Sequence, residues 1–149
     1  MDDSLINFLQ NQSVMTLCYA GDESPPFCFP CFFSFDNRKA FLYFKTSSSS
    51  AHSIQMLNKP EIAGSILPDR LNVLMLKGVQ FQGTVLPPDH PLIHGASRNY
   101  YQKFPMALII PGDIYAIQLS EIKMTNGAKG PGKKIIWRRK EASLTQDQI

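Results

Sequence analysis

Two apolar segments, FCFPCFFSF at residues 27–35 and AFLYFKT at residues 40–46, decide the fold class of this chain. Both are rich in aromatic residues, which favour β-strands. The polar link DNRK between them begins with the turn signal Asp36-Asn37, so the two segments predict an antiparallel hairpin. Proline donates no hydrogen bond to a sheet, and Pro30 is therefore expected at a sheet edge, a bulge or a strand start.

The rest of the chain alternates short apolar runs with turn residues, a pattern that predicts more strands and a few short helices. The predicted strands are 14–20, 61–67, 71–86, 113–127 and a short last one, KIIWRR, at 134–139. The predicted helices are 2–12, 50–58 and 90–104. The strands follow one another too closely for regular crossover helices, which argues against a doubly wound sheet. The pattern therefore predicts a mainly β fold, an antiparallel barrel of six main strands with short covering helices.

The composition is typical of one globular domain. The chain has 149 residues, 44% hydrophobic and 18% charged, and we expect a single domain over residues 1–149 with a mobile polar tail at 139–149. The net charge of +3 is too small to indicate nucleic acid by itself. No run approaches the roughly 18 apolar residues of a membrane span. Asp2 and Asp3 stand where a signal peptide is basic, so we expect a cytoplasmic protein without membrane contact.

The three cysteines, Cys18, Cys28 and Cys31, are odd in number and fit a reducing compartment. Cys28 and Cys31 have the spacing C-x-x-C, but they lie within a predicted strand, where residues three apart point to opposite faces. Redox pairs of this spacing lie at a helix N-terminus, and a zinc site needs further ligands at suitable spacing. We therefore interpret the cysteines as ordinary buried thiols and expect no metal site.

The segment FKTSSSSAHS at residues 44–53 follows the second apolar segment and precedes a predicted helix. Its five consecutive hydroxyl side chains, Thr46 to Ser50, cannot contribute to a core. Two interpretations are open: a flexible, solvated connection with one helix cap, or a loop whose hydroxyls and N–H groups hold an anion. A helix N-terminus offers free N–H groups and positive dipole character, which suit a phosphate.

Several segments, taken in order, resemble one superfamily, the FMN-binding split β-barrel or pyridoxamine 5'-phosphate oxidase-like proteins. Pro30 and CFFSFDNRKAFLYFKT resemble its paired second and third strands. HSIQMLNKPEIAGSI is similar to its short helix, Asn-Lys-Pro stop and following strand, and GVQFQGTV resembles the strand after that. The terminal GPGKKIIW is similar to a small bacterial branch, the YhbP-like proteins. The resemblance covers residues 5–138.

This resemblance implies a six-stranded antiparallel split β-barrel that forms a homodimer with two ligand sites at the interface. It also implies an FMN cofactor whose phosphate lies just after the third strand. The residues that match this position are Lys45, Thr46, Ser47, Ser48, Ser49, Ser50 and His52. The superfamily usually supplies an arginine or lysine in the loop or first helical turn, where this sequence has serine, alanine and histidine. Loss of one charge-assisted phosphate bond costs about 1.5–3 kcal/mol, or one to two decades in affinity.

Further candidate ligand contacts lie on two later strands. Gln80 and Gln82 share one face of a predicted strand and suit either a flavin ring edge or a solvent-facing side of the barrel. The resemblance favours Gln82 as the ligand contact. It also lets Lys134 and Trp137 complete the partner's pocket, the lysine at the phosphate and the tryptophan on the ring system. The alternative is a tryptophan in the dimer core, with basic groups such as Arg139 as a solvated guard of a strand edge.

The sequence carries no signature of a dedicated catalytic residue. There is no Gly-rich phosphate loop and no Ser-His-Asp order, and His90 and His94 lack the glutamate of a zinc protease motif. In flavin enzymes the isoalloxazine does the chemistry, so the resemblance implies an FMN-dependent oxidoreductase acting on a small molecule. A non-catalytic split-barrel protein that holds flavin, haem or another ligand is the alternative. A nucleic-acid binder is a third hypothesis, which the basic tail alone supports.

Overall fold

The β-strands form one antiparallel sheet. The computed structural model describes residues 1–127 and 133–141. Its strands are β1 (Val14–Tyr19), β2 (Phe27–Phe32), β3 (Ser34–Asp36), β4 (Phe41–Thr46), β5 (Glu61–Ile66), β6 (Lys77–Leu86), β7 (Asp113–Asn126) and β8 (Lys134–Arg138). Neighbours pair in the order β2-β1-β5-β6-β7-β4-β3, and β8 pairs with β7. The fold is therefore mainly β, as the sequence predicts.

β2 and β3, the strands at the two ends of this order, are consecutive in the chain. β2 and β3 are separated only by Phe33, whose N–H donates to the carbonyl of Ser13. Because β2 pairs with β1 and β3 pairs with β4, one bent strand connects the two ends of the sheet into a barrel. The described residues form eight separate strands, one more than the six main strands and the short last strand that were predicted, because Phe33 interrupts the predicted strand 27–35. The predicted last strand is β8, which pairs with β7.

Three short α-helices in the described part of the chain cover the sheet. They are α1 (Asp3–Asn11), α2 (Ala51–Asn58) and α3 (Ala96–Lys103), and 3₁₀ turns at Pro91–Ile93 and Pro105–Ile109 flank α3. Asp2 is the N-cap of α1, and its side chain accepts the N–H of Ser4. The helix buries an apolar stripe in the main core. No helix among the described residues has the length and apolar character needed to cross a membrane.

β4 is buried on both faces, which explains the unbroken apolar run that begins at Phe41. Leu42 and Phe44 lie in the main core inside the barrel. Phe41 and Tyr43 lie in a second cluster, in which Tyr100 and its neighbours on α3 cover the other face of the sheet. A strand that is covered on both sides has a continuous run of apolar residues in its sequence rather than an alternation of apolar and polar residues.

The predicted hairpin is present. β3 and β4 pair with Asp36 opposite Phe41, and the Asp36 carboxylate accepts the N–H groups of Arg38 and Lys39 at 2.9 and 3.2 Å. This local turn replaces the glycine that a tight hairpin often needs. Pro30 lies in β2, the strand at one end of the strand order. Of the three positions predicted for this proline, the sheet edge is therefore the one observed.

Two predicted elements have wrong bounds. The strand predicted at 71–86 begins only at Lys77. Residues 71–76 are mostly apolar but belong to no strand among the described residues; Val73 is 93% exposed, and the Asn72 side chain accepts the N–H of Leu74 in a turn. The helix predicted at 90–104 is interrupted at Gly95, which has a φ of 79°. Of the predicted polar tail, residues 142–149 lie outside the described residues.

Arg139 fastens the chain after β8 to the barrel. Its guanidinium donates to the carbonyls of Leu119, Lys39 and Ala40 at 2.7, 2.8 and 2.9 Å. It also lies 5.6 Å from the ring centroid of Trp137. The interpretation of Arg139 as a solvated edge guard is therefore wrong, because its donors are used by backbone carbonyls of the barrel.

We expect Arg139→Ala to lower the free energy of unfolding by about 1–2 kcal/mol, because it leaves these carbonyls without their charged donor. Arg138 is the matched control. Its side chain makes an exposed ion pair with Glu121 at 2.8 Å, so Arg138→Ala should cost less than about 1 kcal/mol. Urea unfolding of both variants measures the difference, and equal losses would contradict the anchoring role of Arg139.

Candidate functional site

A serine-rich loop connects β4 to α2. Thr46 is the last residue of β4, and Ser50 is the N-cap of α2, where its hydroxyl accepts the N–H of Ser53 at 3.3 Å. Serine is among the preferred N-cap residues because its oxygen satisfies an N–H that has no partner within the helix. The sequence therefore starts the helix at this serine.

Hydrogen bonds among the serines hold the loop in place. The carbonyl of Ser47 accepts the N–H of Ser50 at 3.2 Å and the hydroxyls of Ser50 and Ser53 at 2.8 and 2.7 Å. Ser53 is fully buried, so this contact ties the loop to the core. The segment is a hydrogen-bonded turn with a helix cap rather than an unstructured linker.

The outward side of the loop is open. Ser47, Ser48, Ser49 and Ala51 are exposed. The hydroxyls of Ser47 and Ser49 lie 2.8 Å apart, whereas the Ser48 hydroxyl makes no hydrogen bond to another described residue. The N–H groups of Ala51 and His52 belong to the first helical turn, where no intrahelical acceptor exists. This side of the loop can therefore donate several hydrogen bonds to one ligand.

His52 closes one flank of the loop. Its Nε2 lies 2.7 Å from the hydroxyl of Thr46, and its ring stacks on Phe29 with centroids 4.2 Å apart. Burial lowers the pKa of His52 from its usual 6.5, because desolvation disfavours the imidazolium. His52 is therefore neutral at pH 7 and offers the loop a hydrogen bond, not a positive charge.

Lys45 points away from the loop. Its ammonium donates to the carbonyl of Ala107 at 2.8 Å and lies 4.9 Å from the ring centroid of Tyr101. Successive residues of a strand point to opposite faces, so Lys45 and Thr46 lie on different sides of β4. In this arrangement Lys45 supplies no charge to the serine loop.

Gln80 and Gln82 lie on the outer face of the barrel, since both are exposed and alternate with the buried Val79 and Phe81. In the sheet register Gln82 lies opposite Glu121 of β7. The two glutamines border a cavity of about 360 Å³, whose lining residues are Cys18, Ala63, Gly64, Ser65, Gln80, Phe81, Gln82, Glu121 and Lys123. Gln82 therefore lies on a polar face that both solvent and a ligand can reach.

Lys134 and Trp137 lie on opposite faces of β8. Lys134 is exposed, whereas Trp137 is half-buried and packs against the main core. Lys134 pairs with Thr125 and Trp137 with Ile122 in the register of β7. The sequence predicts the same placement of Lys134 and Trp137 on opposite faces of this strand.

The structure brings Thr46, Ser47, Ser48, Ser50 and His52 together in one place. It does not bring Gln82, Lys134 or Trp137 to them, since no hydrogen bond or ring contact among the described residues joins either strand to the loop. Sequence reasoning did not identify Phe29 as the ring beneath His52. The alternation of β2 alone could not have revealed this contact, because it depends on how α2 packs across the barrel.

The sequence predicts no metal site for the titratable side chains of the described residues. Within residues 1–127 and 133–141, no group of three or more histidine, cysteine or acidic side chains is arranged to hold a metal ion. The loop is instead a set of neutral donors, whose chemistry suits the binding of an anion.

Comparisons with known proteins begin with sequence. No known family profile matches the chain. Curated relatives nevertheless cover almost all of it: UPF0306 proteins of Yersinia pseudotuberculosis and of Yersinia pestis are each 36% identical over 141 residues, which is 94% of this chain and 95% of theirs.

Solved structures share the fold at much lower identity. A haem-binding protein from Mycobacterium smegmatis matches 88% of this chain with a TM-score of 0.71 at 12% identity, and the chain spans 55% of that protein. An FAD-binding protein from Mesorhizobium loti matches 83% of this chain and 94% of its own, with a TM-score of 0.65 at 15% identity. HutZ, the haem storage protein of Vibrio cholerae, matches 85% of this chain and 94% of its own, with a TM-score of 0.60 at 11% identity.

The structural neighbours are evidence for the fold of the chain, and the sequence relatives are evidence for its family. The neighbours are pyridoxamine 5'-phosphate oxidase-like split barrels, and at 11–15% identity they show the fold alone. The sequence relatives, at 36% identity over nearly the full length of both proteins, show the family. The chain has the split-barrel fold and belongs to the UPF0306 family.

Proposed function

We propose that this chain is a homodimeric FMN-binding protein and that the flavin phosphate lies against the serine loop at the start of α2. The observation that carries the proposal is the open side of this loop. There the exposed hydroxyls of Ser47, Ser48 and Ser49 lie beside the N–H groups of the first turn of α2. Residues 1–149 would form one domain of the dimer.

The fit to a phosphate rests on two kinds of donor. The N–H groups of Ala51 and His52 have no intrahelical acceptor and lie at the positive end of the helix dipole. The hydroxyls of Thr46 and Ser48 add donors that can turn towards an oxygen. A phosphate at a helix N-terminus gains from both contributions, which is why such loops recur as phosphate sites.

The charge of the loop sets the expected affinity. Lys45 is held by the carbonyl of Ala107, and the lowered pKa of His52 keeps that ring neutral. The described loop therefore offers neutral donors where many split barrels offer a cation. We expect FMN to bind about ten- to a hundredfold more weakly than it would with one charge-assisted bond.

Gln82 and Lys134 are proposed to serve the site from the other copy of the chain. Both are exposed and make no hydrogen bond or ring contact with the described loop of their own chain, so in a homodimer they would be free to face the partner's loop. The Gln82 amide suits the edge of a flavin ring, and Lys134 suits its phosphate. Trp137 would have to leave its packing against the core, which makes it the weakest of the three candidates.

We also propose an oxidoreductase activity on a small molecule, because FMN is a redox cofactor. Bound FMN supplies the redox chemistry, and the residues of the chain bind it, orient it and exclude water. We therefore name no catalytic residue. We also infer that the chain belongs to the YhbP-like branch, on the likeness of the segment GPGKKIIW.

Non-catalytic haem binding is the alternative. Two of the structural neighbours are a haem-binding protein and a haem storage protein, which favours this ligand over others on the same fold. Haem requires an axial ligand from the protein. The proposed phosphate site needs no such ligand, and the two functions therefore predict different results in one titration.

The deciding experiment is a titration of the purified full-length chain with FMN and, separately, with haemin. We expect saturable quenching of FMN fluorescence at one site per chain and reduction of the bound flavin by a nicotinamide donor. Absence of FMN binding at millimolar ligand would contradict the proposal. Haemin binding without FMN binding would favour the alternative, and a monomer in sedimentation would contradict the shared site.

We expect His52→Ala to weaken FMN binding by about three- to tenfold, because the loop loses the hydrogen bond that positions the Thr46 hydroxyl. His94→Ala is the matched control, since the exposed His94 side chain makes no hydrogen bond or ring contact with the loop among the described residues. Riboflavin lacks the phosphate, so its affinity should change less than that of FMN. Equal losses for FMN and riboflavin would argue against a phosphate site at the loop.

A further inference from the structure

Two cysteines from neighbouring strands face each other on the outer surface of the sheet. In the register of β1 and β2, Cys18 lies directly opposite Cys28. The two Sγ atoms are 2.8 Å apart. The spacing C-x-x-C draws attention to Cys28 and Cys31 instead, but these two lie on opposite faces of β2. The pairing partner of Cys28 is therefore Cys18, ten residues earlier in the chain.

The backbone geometry at this pair is compatible with a disulfide. Residues directly opposite in antiparallel strands have Cα atoms about 4.5–5.5 Å apart. Disulfides require a Cα separation of about 4.4–6.8 Å, with both Cβ atoms on the same side. Cys18 and Cys28 meet both conditions because opposed residues share a face of the sheet. A covalent bond between them thus needs no change in strand register.

The pair is accessible, and the exposure of Cys28 contradicts its interpretation as an ordinary buried thiol. Cys28 is exposed, and Cys18 lines the cavity of about 360 Å³ on the outer face. Cys31 packs against the main core, and burial raises its pKa to about 12. Burial, followed by the hydrogen bond with Cys28 and the charge of that sulfur, raises the pKa of Cys18 to about 11. Cys18 therefore holds its proton at neutral pH and can donate it to the sulfur of Cys28.

We propose that Cys18 and Cys28 form a dithiol–disulfide pair that exchanges with low-molecular-weight disulfides, with Cys28 as the sulfur that first attacks the reagent. The site is separate from the serine loop, and the proposal does not rest on flavin binding. It assigns a redox modification site to two thiols that have no part in the proposed flavin site, although Cys18 and Gln82 border the same cavity.

The exchange proceeds in two balanced steps. The Cys28 thiolate attacks one sulfur of a small disulfide, breaks its S–S bond, and forms a mixed disulfide while one small thiolate leaves. Cys18 then loses its proton and attacks the Cys28 sulfur, and the second small thiolate leaves. Two cysteine thiols are oxidised by two electrons, one small disulfide is reduced to two thiols, and the leaving groups take up the two protons.

The experiment incubates the reduced, flavin-free full-length chain with oxidised glutathione. Free thiols are counted, and peptides are mapped by mass spectrometry without reduction. We expect the loss of two of the three thiols and a peptide in which Cys18 is linked to Cys28 within one chain. Cys31→Ala should behave in the same way. Cys18→Ala should instead stop at a stable mixed disulfide of glutathione on Cys28, because the resolving thiol is missing.

Other outcomes overturn the proposal. Three unreacted thiols would mean that the pair is covered or inert in solution. A Cys28–Cys31 link, or links between chains, would mean that the register pair is not the reactive one. Failure of Cys18→Ala to accumulate the mixed disulfide would exclude Cys28 as the attacking sulfur. A circular dichroism spectrum of each variant confirms that it is folded before the thiols are counted.

Discussion

Ser48→Arg is expected to tighten FMN binding by about ten- to a hundredfold, the equivalent of about 1.5–3 kcal/mol for one charge-assisted hydrogen bond to the phosphate. The change adds the positive charge that the loop lacks. Because the loop already supplies neutral donors from the first turn of α2, the arginine would complete the site rather than create it.

Ser48 is the position at which this substitution disturbs the loop least. Its side chain is exposed and makes no hydrogen bond to another described residue, whereas Ser47, Ser50 and Ser53 hold the turn together. Ser48 also precedes the helix. A cation there avoids the unfavourable interaction that it would have with the helix dipole inside the first turn.

Three controls make the result specific. Ser97→Arg adds the same charge on the exposed surface of α3 and should leave FMN affinity unchanged. Riboflavin, which has no phosphate, should bind Ser48→Arg no more tightly than it binds the parent chain. The gain for FMN should shrink at high salt, because screening weakens an exposed ionic contact. Equal gains for riboflavin and FMN would place the phosphate elsewhere.

The hairpin and the start of α2 could be predicted because their signals are local. Asp36 marks the turn by accepting the N–H groups that follow it, and Ser50 caps a helix that begins at the next residue. Such signals depend on a few neighbouring residues and do not require the rest of the fold. The same holds for the alternation of Lys134 and Trp137 on β8.

Features that depend on tertiary contacts could not be predicted. The residues at 71–76 are apolar enough for a strand but pair with no strand in the described part of the chain. The neutral state of His52 arises from burial beside Phe29, which only the packing of α2 brings close. Cys18 and Cys28 meet because the strand register aligns them. The motif C-x-x-C describes the spacing within one strand and contains no information about the residue that lies opposite in the neighbouring strand.

Gly64→Ala is expected to lower the free energy of unfolding by about 3 kcal/mol, at the upper end for overpacking of a core. Gly64 lies in the middle of β5, directly opposite Phe81 of β6. A Cβ at this position would lie 2.3 Å from Cζ of Phe81 and 2.6 Å from the carbonyl oxygen of Thr16. The phenylalanine ring occupies the space that a side chain would need, a pairing of glycine and aromatic residue known to support sheets.

The structure leaves no inexpensive way to relieve this clash. Phe81 is only 3% exposed and packs in the main core, and the Thr16 oxygen belongs to the backbone of β1. Gly78→Ala is the matched control on β6, since a Cβ there would meet nothing closer than 3.8 Å. It should be neutral or stabilise the chain by up to about 1 kcal/mol, because alanine restricts the unfolded chain. Urea midpoints at unchanged m-values measure both effects. Similar midpoints for the two variants would contradict this argument. They would mean that β5 and β6 can move apart at Gly64 at little cost in free energy.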